Sequence, residues 1–130
     1  MRSYAKALLI TAAIFGLVGV FIGSHMAGAG SYELRTFHAH MLVSGFLTTL
    51  AWGIFYLACN PNMPKLTAVH VWTAIIGSVS LNLGMLLYQV NPLGLPETFT
   101  LIFYIVGGSV YLISFVAFLI ITLKLKTTET

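Results

Sequence analysis

The amino-acid sequence predicts an all-α fold, an integral membrane four-helix bundle. Three observations carry that expectation. Of 130 residues, 58% are hydrophobic and 7% are charged, whereas a soluble domain averages about 25% charged. That deficit marks the membrane class before any motif is read. Four apolar stretches recur along the chain, each reaching the ~20 residues that cross a hydrocarbon core as a helix. The separators are short and carry helix breakers. Four spans with short loops predict one bundle over residues 1–130, with no room for a soluble domain. No low-complexity tract and no convincing internal repeat is present.

The first helix is expected over 7–27. Arg2 and Lys6 ahead of an apolar run that ends in Ala27-Gly28-Ala29 look like a signal peptide with a small-residue cleavage site. The run is long for that role, so a retained helix is expected. Gly19-Val-Phe-Ile-Gly23 is a small-xxx-small pattern that supports close helix contact, within or between subunits. Gly28 and Gly30 mark its end. The second helix is expected over 38–59, closed by Asn60-Pro61-Asn62-Met63-Pro64. The third is expected over 66–90, closed by Asn91-Pro92-Leu93-Gly94-Leu95-Pro96. It carries Asn82 well inside its apolar run, with Gly77 and Gly84 nearby. The fourth is expected over 99–123.

Charge sets the expected topology. With the N-terminus in the cytoplasm, Arg2, Lys6, Lys65, Lys124 and Lys126 all lie inside and only Arg35 lies outside. This is a positive-inside pattern with both termini cytoplasmic. Glu33 and Glu97 fall outside. The net charge of +3 therefore reads as topology, and the absence of a basic stripe argues against nucleic acid as a partner. The expected location is a bacterial or archaeal cytoplasmic membrane. Cys59 is the single cysteine, so an intramolecular disulfide is excluded; it reads as a small packing residue near the inner end of the second helix.

The most informative segment is Arg35-Thr-Phe-His38-Ala-His40-Met41-Leu42-Val43-Ser44-Gly45-Phe46. It places an arginine and two histidines at the mouth of an otherwise apolar span. Ionisable groups there are costly and default to function, and an imidazole can hold a haem iron or a copper ion inside a bilayer. The topology puts His25, His38 and His40 near the outer face, with Met26 and Met41 beside them. His70 falls near the inner end of the third helix, about 20 Å from His40 along the membrane normal. It reads as a structural hydrogen-bond donor and is poorly placed to share one metal with His40. His38 and His40 point about 200° apart on a helix, so one face cannot present both to one ion. The His40 direction carries Ser44, Leu47 and Thr48. The His38 direction carries Leu42, Gly45 and Thr49, and Gly45 leaves space for a flat ring or another helix. The alternative reading makes His25 a headgroup-wetted interfacial residue and His38 and His40 boundary residues. Asn82 lies at a depth similar to Ser44, where it could hydrogen-bond a ligand held by the second helix or a neighbouring helix. Trp52, Tyr56, Trp72, Tyr88, Tyr104 and Tyr111 mix interfacial anchors with cofactor-packing candidates that sequence does not sort.

The segment Arg35-x-x-His38-x-His40-Met-Leu-Val-Ser-Gly45-Phe, continuing to Gly53, Tyr56 and Pro61, resembles the second transmembrane helix of heme-copper oxidase subunit I, the nitric oxide reductase branch above all. The resemblance implies a low-spin haem b ligated by a histidine near the outer end of this helix. The spacing to Pro61 favours His40, and the spacing from Arg35 favours His38. Small oxidase subunit I-like proteins with a His-x-His start are similar along the whole chain. A second resemblance is to membrane isomerases of the styrene oxide isomerase and hydroxylaminobenzene mutase type. It is carried by the His38 to Gly45 spacing, by Asn82-Leu-Gly84 and by Pro92. It implies haem b between subunits of a homotrimer, with iron acting as a Lewis acid on an epoxide. Ser44 stands where that pattern has an asparagine, and its tyrosine is displaced to Tyr88 or absent.

Four functions follow as expectations. The first is a haem b protein in which His40, or else His38, ligates iron and Arg35 pairs with a propionate. The chain lacks the further histidines of a complete oxidase, so a second axial ligand would come from His25, from another subunit or not at all. The second is an isomerase in which iron with an open position polarises the oxygen of a small apolar substrate and Asn82 or Ser44 orients it, with Tyr88 a further catalytic candidate. The third is a copper protein using His25, Met26, His38, His40 and Met41. The fourth is a non-catalytic subunit in which the histidines only pack. A lone four-helix unit has limited room for a macrocycle, so a homo-oligomer with its cofactor between subunits is expected.

Overall fold

The structure, a computed structural model, describes residues 2–125. Lys126, one of the basic residues in the topology argument, lies outside the described residues. Among the described residues, four helices are long and apolar enough to cross a membrane: α1 Arg2–Ala29, α2 Arg35–Cys59, α3 Pro64–Gln89 and α4 Glu97–Leu123. All four start two to five residues earlier than hydropathy suggests, and α1 also runs on past its expected end. The apolar core fixes the hydropathy window, while backbone hydrogen bonding continues into the polar flank. Breakers set the ends. Gly30 takes φ +63° after α1, and Asn60 takes φ 39° after α2. Pro64 opens α3, where a missing N–H is harmless. Between α3 and α4, Asn91 clasps the turn: its Nδ2 donates to the Leu95 carbonyl at 2.9 Å and its Oδ1 accepts the Leu95 N–H at 2.8 Å.

The second span is not a uniform α-helix. Arg35–His40 and Thr48–Cys59 are α-helical, and Met41–Leu47 between them is a π-helix. The wider i→i+5 turn delays every later side chain by part of a turn. The inward stripe is therefore Phe37, Met41, Ser44, Gly45, Thr49, Trp52, Gly53 and Tyr56. Ser44, Gly45 and Thr49 share a face that an unbroken α-helix would divide, and Leu47 is exposed to the outside.

The helices form two tight hairpins. Along the α3–α4 seam, a Cβ at Gly77 would stand 2.5 Å from the Tyr111 nitrogen, and one at Gly84 would stand 2.7 Å from the Tyr104 Cα. Small residues thus bring the two backbones together. Along α1–α2, Gly19 meets Leu42 and Gly23 meets the His38 ring. The glycine pair of α1 therefore serves contact within the chain. Gly45 also admits a flat ring, which is that of Phe15 from α1. The hairpins meet through larger groups. Trp52 of α2 packs edge-on to His70 of α3 at 4.6 Å and to Phe115 of α4 at 4.9 Å.

Candidate functional site

A polar knot joins three helices beside the π turn. The Ser44 hydroxyl donates to the His40 carbonyl at 2.7 Å and accepts from Asn82 Nδ2 at 3.0 Å. Asn82 Nδ2 also donates to the Ser78 carbonyl at 2.8 Å. Tyr111 of α4 donates its hydroxyl to the Ser44 carbonyl at 2.8 Å. Thr48 Oγ1 donates to the Val43 carbonyl at 2.8 Å, and Thr49 Oγ1 donates to the Gly45 carbonyl. A π turn leaves carbonyls off the regular ladder, and a bilayer core offers no water to satisfy them. Hydroxyls from α2 and α4 take that place.

The two histidines of α2 leave the helix on different sides. His38 Nδ1 lies 2.8 Å from the Gly19 carbonyl, and its ring is wedged against Gly23. His40 Nδ1 lies 3.2 Å from the Thr36 carbonyl. A carbonyl only accepts, so Nδ1 carries a proton in both rings, and the neutral form of each ring has its lone pair on Nε2. His38 is enclosed by the α1 contact. His40 instead lines a cleft of about 430 Å³ between α2, α3 and α4, with Val43, Ser44, Leu81, Tyr111 and Phe115. Ser44 and His40 thus share one cleft, while Asn82 lines a different one beyond the Ser44 bond.

Other expected site residues lie apart. His25 is exposed on α1, whose Gly19, Gly23 and Met26 face inward or toward α2. Among the described residues, no three or more His, Cys, Asp or Glu side chains gather to hold a metal ion, so His25, His38 and His40 do not form a joint site within one chain. Tyr88 is about 240° around α3 from Asn82 and stacks on Tyr104 at 6.0 Å. The tyrosine that reaches Ser44 is Tyr111, which sequence reasoning left unsorted. Gly45 was expected beside a cofactor, and the Phe15 ring fills that space. Arg35 is exposed at the start of α2.

Comparison with protein families, curated proteins and solved structures finds no match to the chain.

A second buried cluster lies toward the end that carries Arg2. His70 is fully buried, and its Nδ1 shares a hydrogen bond of 2.7 Å with the Tyr56 hydroxyl. Trp52 and Phe118 enclose the ring. His70 was expected as a structural hydrogen-bond donor, and the structure shows it buried in a structural hydrogen bond with Tyr56. Its partner carried no signal in the sequence, because an aromatic side chain reads alike as anchor or as donor.

Proposed function

We propose that the protein binds haem b in the membrane, with the iron ligated by Nε2 of His40. The observation that carries this reading is the His40 ring itself. It gives its Nδ1 proton to a backbone carbonyl, keeps Nε2 free and lines a cleft whose Val43 edge is 59% exposed toward the surroundings. A carbonyl holding the far nitrogen fixes the tautomer and aims the ligating one. His38 has the same tautomer, but its place against Gly23 makes it the alternative ligand. Arg35, five residues upstream, pairs with a propionate at the outer surface. When bound, haem supplies an iron that exchanges electrons or takes a small ligand.

The small cleft would leave a macrocycle to be shared between copies of the chain, which supports reading the protein as a homo-oligomer, a trimer by the isomerase resemblance. The proposed setting is a bacterial or archaeal cytoplasmic membrane with both termini inside. A second reading is favoured by Ser44, which shares the cleft with His40: haem held by His40 would supply a Lewis acid for a small epoxide-like substrate, which Ser44 would orient. Asn82 lines a separate cleft and does not support that role.

An absorption spectrum of protein purified from haem-replete cells tests the proposal. A Soret band is expected, lost or strongly shifted in His40→Ala and retained in His38→Ala. A colourless protein, stoichiometric copper without a Soret band, or an unchanged spectrum in both variants would overturn it. Native mass analysis in mild detergent tests the oligomer; a monomer that retains haem would refute the shared site.

A further inference from the structure

The α1–α2 hairpin carries two clefts along one flank. At the end that holds Arg2, a polar cleft of about 350 Å³ is lined by Arg2, Tyr56, Leu57 and Asn60. Deeper along the same hairpin, an apolar cleft of about 410 Å³ is lined by Ala13, Gly16, Leu17, Val20, Leu42 and Phe46. Leu17 and Val20 are exposed, so this second cleft opens to the lipid. At about 100° per residue, Arg2, Lys6, Ala13 and Val20 fall within about 40° of one another around α1. The two clefts therefore share one flank. Leu57, itself exposed, leads from the polar cleft onto the apolar surface.

The chemistry changes along that flank as it does along a phospholipid. Arg2 and Lys6, one turn apart and both exposed, put two cations at the polar end. The Asn60 amide adds N–H donors there. Glu33 and Glu97, the acids among the described residues, belong to the opposite end, and Glu129 lies outside the described residues. The amide end of α1 and the carbonyl end of α2 meet beside Arg2 and offset one another, so the side-chain cations set the sign. Ala13 and Gly16 stand about 16 and 21 Å from Arg2 along the helix. Half of a ~30 Å hydrocarbon core is about 15 Å. The apolar cleft thus sits where an acyl chain ends whose phosphate rests at Arg2.

We propose that this flank binds an anionic phospholipid, its phosphate held by Arg2, Lys6 and Asn60 and one acyl chain laid past Leu57 into the Ala13–Gly16 cleft. A phosphatidylcholine brings the same phosphate, but its own ammonium offsets that charge and meets two cations. Inorganic phosphate brings the charge without the chain. The site is separate from the His40 cleft between α2, α3 and α4, and it stands whichever way the bundle points.

The test uses the full chain in phosphatidylcholine nanodiscs doped with one of two photoreactive lipids, a phosphatidylglycerol or a phosphatidylcholine, each with a diazirine at its chain end. The phosphatidylglycerol probe should label Ala13, Leu17, Val20 or Phe46 about fivefold or more above the phosphatidylcholine probe, the worth of one cation near a membrane surface. Arg2→Gln together with Lys6→Gln should erase that preference. Lys65→Gln, which removes a cation at the same end but on α3, should keep it. Ala13→Trp, which fills the apolar cleft, should lower labelling by both probes. Should the double variant fail to insert, the two probes on the natural protein, Lys65→Gln and Ala13→Trp decide. Equal labelling by the two probes, a preference that survives the double variant or is lost in Lys65→Gln, or labelling unchanged in Ala13→Trp would each overturn the proposal. So would label removed by inorganic phosphate and not by potassium chloride of equal ionic strength, which would mark a site for a soluble anion. An unlabelled flank, covered by a second copy of the chain, would overturn it as well.

Discussion

Tyr111 shows how one hydroxyl can hold an irregular helix in a medium without water. Its ring packs against Trp52 and Phe115, and its oxygen meets a carbonyl of the π turn. Tyr111→Phe keeps the ring contacts and removes the bond. Unfolding in a detergent titration should show a loss of about 0.6–1.7 kcal/mol, the span of interhelical hydrogen bonds in membranes. Unchanged stability would show that the bond does not hold the turn. The depth that Asn82 shares with Ser44 was legible in the sequence, which left its partner open between a ligand and a neighbouring helix; the structure gives it the Ser44 hydroxyl. Tyr111 was not legible. Its hydroxyl does not distinguish it from Tyr88 or Tyr104, and only the crossing of α2 and α4 selects it.

The extent of the helices follows from hydropathy, and the breakers at Gly30, Asn60, Pro64 and Asn91 fix their ends. The π segment leaves no mark in composition. It differs from an α turn by one hydrogen-bond offset, and Met41–Leu47 would suit either. The glycines were visible, but their partners were not. Two glycines make the contrast measurable. At Gly77 a Cβ would strike the Tyr111 backbone, while at Gly28 nothing lies within 4 Å. Gly77→Ala should therefore cost about 1–3 kcal/mol by overpacking. Gly28→Ala, inside the helical span of α1, should be neutral or raise stability by about 0.5–1 kcal/mol. Thermal unfolding of both variants in one detergent checks the pair, and equal effects would refute the close α3–α4 seam.

The whole molecule presents an apolar exterior, as Leu17, Phe21 and Leu112, exposed by 75%, 70% and 64%, illustrate. Such a surface suits lipid and does not reveal which way the bundle points. The distribution of lysine and arginine supports the proposed orientation, with Arg2 and Lys65 facing the cytoplasm. Cys59 is exposed at the end of α2 that lies toward Arg2. A membrane-impermeant maleimide should therefore label Cys59 in inverted vesicles and leave it unlabelled in intact spheroplasts. The reverse pattern would invert the proposed topology.

The glycine seams lie within each hairpin, while the bond between Ser44 and Asn82 lies between them. The ribosome releases α1 and α2 first, and segments nearer the N-terminus fold first during synthesis. The first hairpin can thus set before α3 emerges, and both links to Ser44, from Asn82 and from Tyr111, close after it. Until then the Asn82 amide has only the Ser78 carbonyl of its own helix as a partner. The order of synthesis thus makes the joining of the hairpins, and not the formation of either one, the step that completes the polar contacts of the π turn.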